Sequence, residues 1–111
     1  MFEPGDIVLV PFPFTDLSAA KSRPALVMTR GDYNKTSEDL ILCGITSNLA
    51  NSSHSVLLAQ ADLESGTLPK PSRVKADKVV TLKQEIVKKR VGRLKATAMA
   101  QVMKEFEALF P

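Results

Sequence analysis

Short apolar runs separated by polar turns fill the first part of the chain. Runs rich in β-branched and other apolar side chains are typical of short strands. We predict four strands: Ile7 to Val10, Ala25 to Thr29, Leu40 to Ile45 and His54 to Ala59. Prolines 11 and 13 end the first run because proline cannot donate to a strand ladder. A turn-rich loop of about ten residues then leads to Ser22.

The pattern between the fourth run and the last helix is less regular. Ser65 to Pro71 is rich in turn residues and predicts a connection without strand structure. Two strand segments follow, at 72–75 and 78–82, and the intervening Ala76-Asp77 predicts a bulge or a bend. Ile86 to Val91 continues in β character, and we expect Gly92 to break it.

The final segment changes period. Apolar side chains recur at helical spacing, and polar residues take the other positions; the apolar set is Leu94, Ala98, Val102, Phe106 and Leu109. This spacing predicts an amphipathic helix of about fifteen residues without a clear N-terminal cap. Six or seven short strands followed by one helix indicate a mainly β, α+β fold of small-barrel type, built as one domain over residues 1–111.

Composition removes several classes of protein. Apolar residues make up 44% and charged residues 24% of the chain, as in ordinary globular proteins. No apolar run is long enough to span a bilayer, and the first residues lack the pattern of a secretory signal. The single cysteine, Cys43, excludes an intrachain disulfide and a cysteine-rich zinc site, and its apolar surroundings predict a core position. We therefore expect a cytoplasmic protein.

Positive charge is concentrated in one part of the sequence, residues 69–95, called here the basic segment. It contains ten basic residues and only two acids, for a net charge of +8, whereas the other 84 residues carry −5. Such asymmetry favours a surface that meets a polyanion. A solvated lysine-rich hairpin is the alternative interpretation, since charge alone does not identify a ligand.

Two polar positions stand beside apolar runs and are candidates for a site. Arg23 and Pro24 precede the second run, and Thr46 and Ser47 follow the third. Proline restricts the residue before it to extended conformations, so it would aim Arg23 out of the end of the barrel. Each residue also has an ordinary interpretation, as a surface arginine over the barrel end and as a strand-end threonine.

Five short motifs follow one another in a fixed order: Gly5 to Val8, Arg23 to Val27, Ile45 to Ser47, Ser72 to Leu82 and Val91 to Leu94. This ordered set resembles the MazF/PemK family of toxin endoribonucleases. It implies an SH3-like barrel with a C-terminal helix and a two-fold dimer. It also implies cleavage of single-stranded RNA by 2′-hydroxyl attack, without metal or cofactor. The family's partner is a cognate antitoxin, together with which the toxin binds DNA.

The resemblance assigns roles to particular positions. Arg23 and Thr46 match the catalytic arginine and the catalytic threonine or serine. The candidate substrate-binding residues are Phe14, Lys21, Ser47, Asn48, Arg73, Lys75, Asp77 and Lys78. The chain departs from the family where Asp77-Lys78 stands in place of a frequent glutamine, and its loop from Phe12 to Ser22 lacks the usual glycine-rich tip. Phe12 and Phe14 point the same way if extended, either to cover a core edge or, for Phe14, to stack on a base.

Proton transfer and two other functions stay open at the level of sequence. Arginine is a poor base at neutral pH, whereas the only histidine, His54, is a suitable base or else an exposed residue at a strand start. A non-catalytic nucleic-acid-binding barrel on the same scaffold would retain RNA in a salt-dependent way without cleaving it. A toxin that poisons gyrase on the same fold would act through the last helix instead.

Overall fold

Antiparallel pairing connects all the strands in the part of the chain that the structure, a computed structural model, describes: residues 1–12 and 22–111. The strands are β1 (Asp6–Pro11), β2 (Ser22–Val27), β3 (Asp39–Thr46), β4 (Ser55–Leu58), β5 (Leu63–Gly66), β6 (Ser72–Lys83) and β7 (Lys89–Leu94). The α-helices are α1 (Gly31–Thr36) and α2 (Ala96–Glu107), and short 3₁₀ turns occupy Gln60–Asp62 and Gln84–Ile86.

One curled seven-stranded sheet results, in the order β4-β6-β3-β2-β1-β7-β5. The predicted mainly β, α+β fold with a C-terminal helix is therefore confirmed. The helix is shorter than predicted, because Leu94 still belongs to β7 and α2 begins at Ala96. Its cap residue, Lys95, makes no side-chain capping hydrogen bond. No helix in the described residues is long and apolar enough to cross a membrane.

The second strand begins earlier than predicted, and this moves the candidate arginine. Ser22 pairs with Pro11, and Arg23 pairs with Val10. Arg23 and Pro24 therefore lie inside β2, and the expectation that they stand before the strand is wrong. Pairing of β2 with β3 starts only at Ala25, consistent with the missing N–H group of Pro24.

The predicted bulge in β6 is confirmed, and it changes which face each residue occupies. Cys43 pairs with Val79, whereas the next residue of β3, Gly44, pairs with Lys75. Three residues of β6, 76–78, are thus inserted opposite a single step of β3. Because side chains alternate along a strand, an odd insertion exchanges the two faces.

This exchange lets both faces of the sheet be buried. The core on the α2 side contains Ile7, Leu26, Cys43, Ile45, Val56, Leu58, Leu63, Val74, Leu94, Ala98 and Val102. The core on the opposite face contains Val8, Val10, Phe12, Ala25, Val27, Leu40 and Leu42. Before the bulge Val74 belongs to the α2 side, whereas Val80 and Leu82 after it pack on the opposite face. Phe12 is buried, as its core interpretation predicts.

Close approach of β5 and β7 corrects two predictions. Leu63–Gly66 forms a strand, part of which was expected to be a turn, and Gly92 lies within β7 instead of ending it. Gly66 faces Gly92 across the pair. A Cβ on Gly92 would lie 2.8 Å from the carbonyl oxygen of Ser65, and one on Gly66, at φ +79°, would lie 2.1 Å from that of Val91. Glycine is required at both positions because backbone occupies the space.

A buried carboxylate connects β1 to β7. Asp6 is fully buried, and its Oδ1 accepts a hydrogen bond from Nε of Arg93 at 2.7 Å, while Oδ2 accepts one from the backbone N–H of Glu3 at 2.9 Å. The Arg90 guanidinium reaches the same Oδ1 at 3.5 Å. Hydrogen bonding to Asp6 raises the pKa of Arg93 above its ordinary value. Two cations of the basic segment are thus directed at a protein carboxylate.

Candidate nucleic-acid interface

A cleft of about 310 Å³ opens where the end of β3, the loop of residues 47–54 and the bulge of β6 meet. Its lining consists of small polar side chains and two lysines: Thr46, Asn48, Ala50, Asn51, Ser52, Lys75 and Lys78. Residues 47–54 are called here the β3–β4 loop. Asn48 and residues 50–52 of this loop form one wall of the cleft, and β6 supplies the lysines. Four of the predicted site residues, Thr46, Asn48, Lys75 and Lys78, therefore meet in one place.

Strand register places the candidate arginine in line with this cleft. Thr46 pairs with Arg73 of β6, so both side chains lie on one face of the sheet. Ala25 pairs with Gly44, and the same register continued by two residues aligns Arg23 with Thr46. Arg23, Thr46 and Arg73 thus form a row across three neighbouring strands, on the face that carries Leu42. Arg23 is half-buried in this row.

Hydrogen bonds at the start of the β3–β4 loop engage the side-chain oxygens of Thr46 and Asn48. The Thr46 hydroxyl accepts a bond from the backbone N–H of Asn48 at 3.1 Å, and the Asn48 amide oxygen accepts one from the backbone N–H of Ala50 at 3.0 Å. The Thr46 O–H and the Asn48 NH₂ group donate to no acceptor in residues 1–12 and 22–111, so they can donate to a ligand. With the ammonium groups of Lys75 and Lys78, the cleft is lined mainly by donors and cations. Such a lining suits an anion such as phosphate.

Arg73 and Lys75 hold the loop through a pair of serine hydroxyls. Arg73 donates from Nε to the Leu49 carbonyl oxygen at 3.2 Å and from one terminal nitrogen to the Ser55 hydroxyl at 3.1 Å. Nζ of Lys75 donates to the Ser52 hydroxyl at 2.8 Å. That hydroxyl donates to the Ser55 hydroxyl at 3.2 Å, which in turn donates to the Ser52 carbonyl oxygen at 2.7 Å. Both cations thus stabilise one network.

Of the remaining predicted site residues, two lie outside the cleft lining and two fall outside the described residues. Ser47 is exposed and is not part of the cleft lining. Asp77 is exposed within the bulge, and its negative charge helps to raise the pKa of the buried Cys43 thiol. Phe14 and Lys21 fall in residues 13–21, outside the described residues. The role of each of these four residues stays a prediction.

His54 faces the helix and not the cleft. It precedes β4 with φ 57°, a conformation that non-glycine residues rarely adopt. Its Nδ1 is buried without a hydrogen-bond partner in the described residues and lies 3.9 Å from a carboxylate oxygen of Glu105 on α2. The histidine is not part of the cleft lining, so the geometry gives no support to its use as a general base there.

Cys43 belongs to the core, as predicted. Its side chain is fully buried, and burial, with a smaller contribution from Asp77, raises the pKa of the thiol to about 12. A thiol with this pKa stays protonated at neutral pH and is a poor nucleophile. In the described ranges, no group of three or more His, Cys, Asp or Glu side chains could hold a metal ion.

Sequence reasoning missed three residues of the cleft, Ala50, Asn51 and Ser52. The polar stretch that contains them predicts a loop, but loop composition does not say which side chains turn inward. The available signal was the cluster of hydroxyl and amide residues that follows Thr46 directly, since these residue types favour tight turns that bring a chain back to a strand end.

The chain is similar to a described family. A family model for the PemK-like, MazF-like toxin of type II toxin–antitoxin systems matches residues 3–110, nearly the whole sequence. No curated protein sequence matches significantly.

Solved structures share the fold at low sequence identity. An endoribonuclease from a Mycobacterial species, solved with its cognate antitoxin, has a TM-score of 0.79 at 17% identity, with 97% of this chain and 93% of that one covered. Deinococcus radiodurans MazF has a TM-score of 0.77 at 23% identity, covering 97% and 94%. The Mycobacterium tuberculosis toxin MazF-mt6 has a TM-score of 0.75 at 19% identity, covering 93% of each chain.

Proposed function

We propose that this chain, which belongs to the PemK-like, MazF-like toxin family of type II toxin–antitoxin systems, is an endoribonuclease that cleaves single-stranded RNA. The observation that carries the proposal is the cleft at the end of β3, whose donors and lysines suit a phosphodiester. Similar chains are described as endoribonucleases, which agrees with a polyanionic substrate.

The proposed reaction uses the RNA's own 2′-hydroxyl. Its oxygen forms a bond to the adjacent phosphorus, and the bond from phosphorus to the 5′-oxygen breaks. The 2′-hydroxyl loses its proton, and the leaving 5′-oxygen gains one. The products are a 2′,3′-cyclic phosphate and a 5′-hydroxyl. Negative charge increases on the non-bridging oxygens in the transition state, and preorganised donors stabilise it there.

The residues that line the cleft, together with Arg23 beside it, divide this work. The Thr46 hydroxyl donates to a non-bridging oxygen, and Lys75 and Lys78 attract the phosphate backbone. Arg23 supplies fixed positive charge through a planar fork of donors. Because a guanidinium is protonated at neutral pH, we assign Arg23 charge stabilisation and not proton abstraction.

A cleavage assay on a long single-stranded RNA tests the proposal. We expect discrete fragments with 5′-hydroxyl ends, formed equally well with EDTA present, and mapped ends that share a sequence. Salt-dependent retention of RNA without any product would favour the non-catalytic binding barrel instead. Cleavage that requires added Mg²⁺ would contradict the metal-independent route.

Thr46 allows a second test within the same assay. Thr46→Val removes the hydroxyl at nearly constant volume, so both the donor to phosphate and the acceptor for the Asn48 N–H are lost. We expect the cleavage rate constant to fall about a hundredfold. Thr46→Ser keeps the hydroxyl and should stay within about threefold of the parent, since its donor is preserved. Equal rates for the valine and serine variants would exclude a role for the hydroxyl.

Two protein partners complete the proposal. Structures similar to this chain include toxins bound to antitoxins, and we propose that a cognate antitoxin binds this chain in the cytoplasm. We also propose a homodimer. Met99, Met103 and Phe110 leave apolar surface at least partly exposed on or just beyond α2, as a protein interface requires. Light scattering at micromolar concentration measures the oligomeric state directly.

A further inference from the structure

We propose that Arg73 is a positioning residue that holds the β3–β4 loop as a wall of the cleft and thereby determines which RNA sequences are accepted. This inference rests on the proposed function. It replaces the expectation that Arg73 binds phosphate, because its guanidinium is already engaged by the protein.

The two bonds of Arg73 reach both ends of the loop. One acceptor, the Leu49 carbonyl oxygen, lies near the start of the loop, and the other, the Ser55 hydroxyl, lies just after its end. A rigid planar donor that spans both acceptors fixes the separation of the loop's two ends. Bonds from a charged donor are also stronger than neutral ones. Arg73 itself is held by β6, where it pairs with Thr46 and Leu57.

Lys75 adds a second attachment at the middle of the loop. Its ammonium group binds the Ser52 hydroxyl, which shares a hydrogen bond with the Ser55 hydroxyl. Lys75 also lines the cleft, whereas Arg73 does not. One cation therefore stands between loop and ligand, and the other acts on the loop alone.

The fixed wall presents amide groups to the cleft. The Asn48 oxygen accepts a hydrogen bond from the Ala50 N–H, so its NH₂ group is the part of the amide that can donate to a ligand in the cleft. Asn51 makes no side-chain hydrogen bond within the described part of the chain, so its oxygen and nitrogen are both available in the lining. Proteins recognise the sequence of single-stranded RNA through hydrogen bonds from such groups to the edges of unstacked bases. In this arrangement, Thr46 and the lysines of β6 contact the phosphate, and the amide groups of the β3–β4 loop contact a base.

The phosphate role and the positioning role predict different effects of Arg73 variants on the salt dependence of RNA affinity. If Arg73 bound a phosphate, Arg73→Ala would reduce the salt dependence of RNA affinity by about one contact, and Arg73→Lys would restore it. For a positioning residue, we expect the slope to stay unchanged in both variants. We also expect the preference for the cut sequence over a single-base variant to fall roughly tenfold in Arg73→Ala, because one base contact is no longer fixed.

Ser55→Ala provides the decisive variant because it changes no charge. It removes one acceptor of Arg73 and the partner of Ser52, so it should lower sequence preference in the same direction as Arg73→Ala. Lys70→Ala is the matched control: it removes one cation of the basic segment outside the cleft and should leave sequence preference unchanged. In Arg73→Ala and Ser55→Ala, we expect the KM for RNA cleavage to change more than kcat, since Thr46 and Arg23 are intact.

Amide hydrogen exchange separates this inference from the proposed function. Exchange over residues 47–54 should accelerate in Arg73→Ala and Ser55→Ala, but not in Lys70→Ala, whether or not the protein cleaves RNA. If the parent protein never cuts RNA but the three variants show this exchange pattern, the proposed function is wrong and the attachment of the loop by Arg73 is confirmed. Unchanged exchange, or a lower salt slope in Arg73→Ala with sequence preference intact, would overturn the positioning role.

Discussion

Arg23→Ala is expected to lower the rate of RNA cleavage by roughly a hundredfold to a thousandfold and to leave the fold intact. Loss of one preorganised donor to a transition-state anion costs about 3–4 kcal/mol in other hydrolases. Arg23 is half-buried in β2, in line with Thr46 and on the same face of the sheet, which places it beside the proposed phosphate site. Single-turnover cleavage with saturating enzyme measures this effect.

Two further variants identify the origin of such a loss. Arg23→Lys keeps the charge but not the planar fork, and should fall between the parent and the alanine variant. Arg30→Ala removes an exposed arginine whose contact is with Asp32, and should cleave at the parental rate. Parental cleavage by Arg23→Ala would remove Arg23 from the site. Toxicity that survives Arg23→Ala but is lost on changes in α2 would instead favour a gyrase-poisoning toxin.

The strand pattern was largely predictable from sequence because alternation and turn residues are local signals. The bulge at Ala76-Asp77 is an example, since two short strand segments flank it. Its consequence for the two cores was not predictable. Which face Val80 and Leu82 occupy depends on the number of residues inserted opposite β3, and only the register supplies that number. The same holds for Gly92, whose close neighbour, Ser65, is distant in sequence.

The candidate site was predictable in part for the same reason. Thr46 and Lys75 meet because a strand end and a bulge are adjacent in the sheet. The order of the motifs along the chain was enough to predict that both residues belong to one site. Charge counting, by contrast, treats all ten cations of the basic segment alike. It cannot tell that Arg73 binds a loop carbonyl oxygen or that Arg93 binds a buried carboxylate, since those acceptors lie far away in the sequence. Only tertiary structure separates cations with internal partners from those left for a ligand.

Arg93→Met is expected to lower the free energy of unfolding by about 3–5 kcal/mol, the cost of removing one partner of a buried charge. Asp6 would keep only the Glu3 N–H at 2.9 Å and the longer contact to Arg90 at 3.5 Å, although it is fully buried. Urea denaturation followed by circular dichroism measures the change.

Arg90→Met is the matched control for this prediction because it removes a cation directed at the same carboxylate oxygen. Arg90 is more exposed and its contact is longer, so the expected loss is below about 1 kcal/mol. Adding Asp6→Asn to Arg93→Met should recover part of the lost stability, since a neutral amide is less costly to bury than an unpaired carboxylate and still accepts from the Glu3 N–H. Equal losses for the two arginine variants would show that the 2.7 Å bond has no special weight, and that general electrostatic attraction stabilises Asp6.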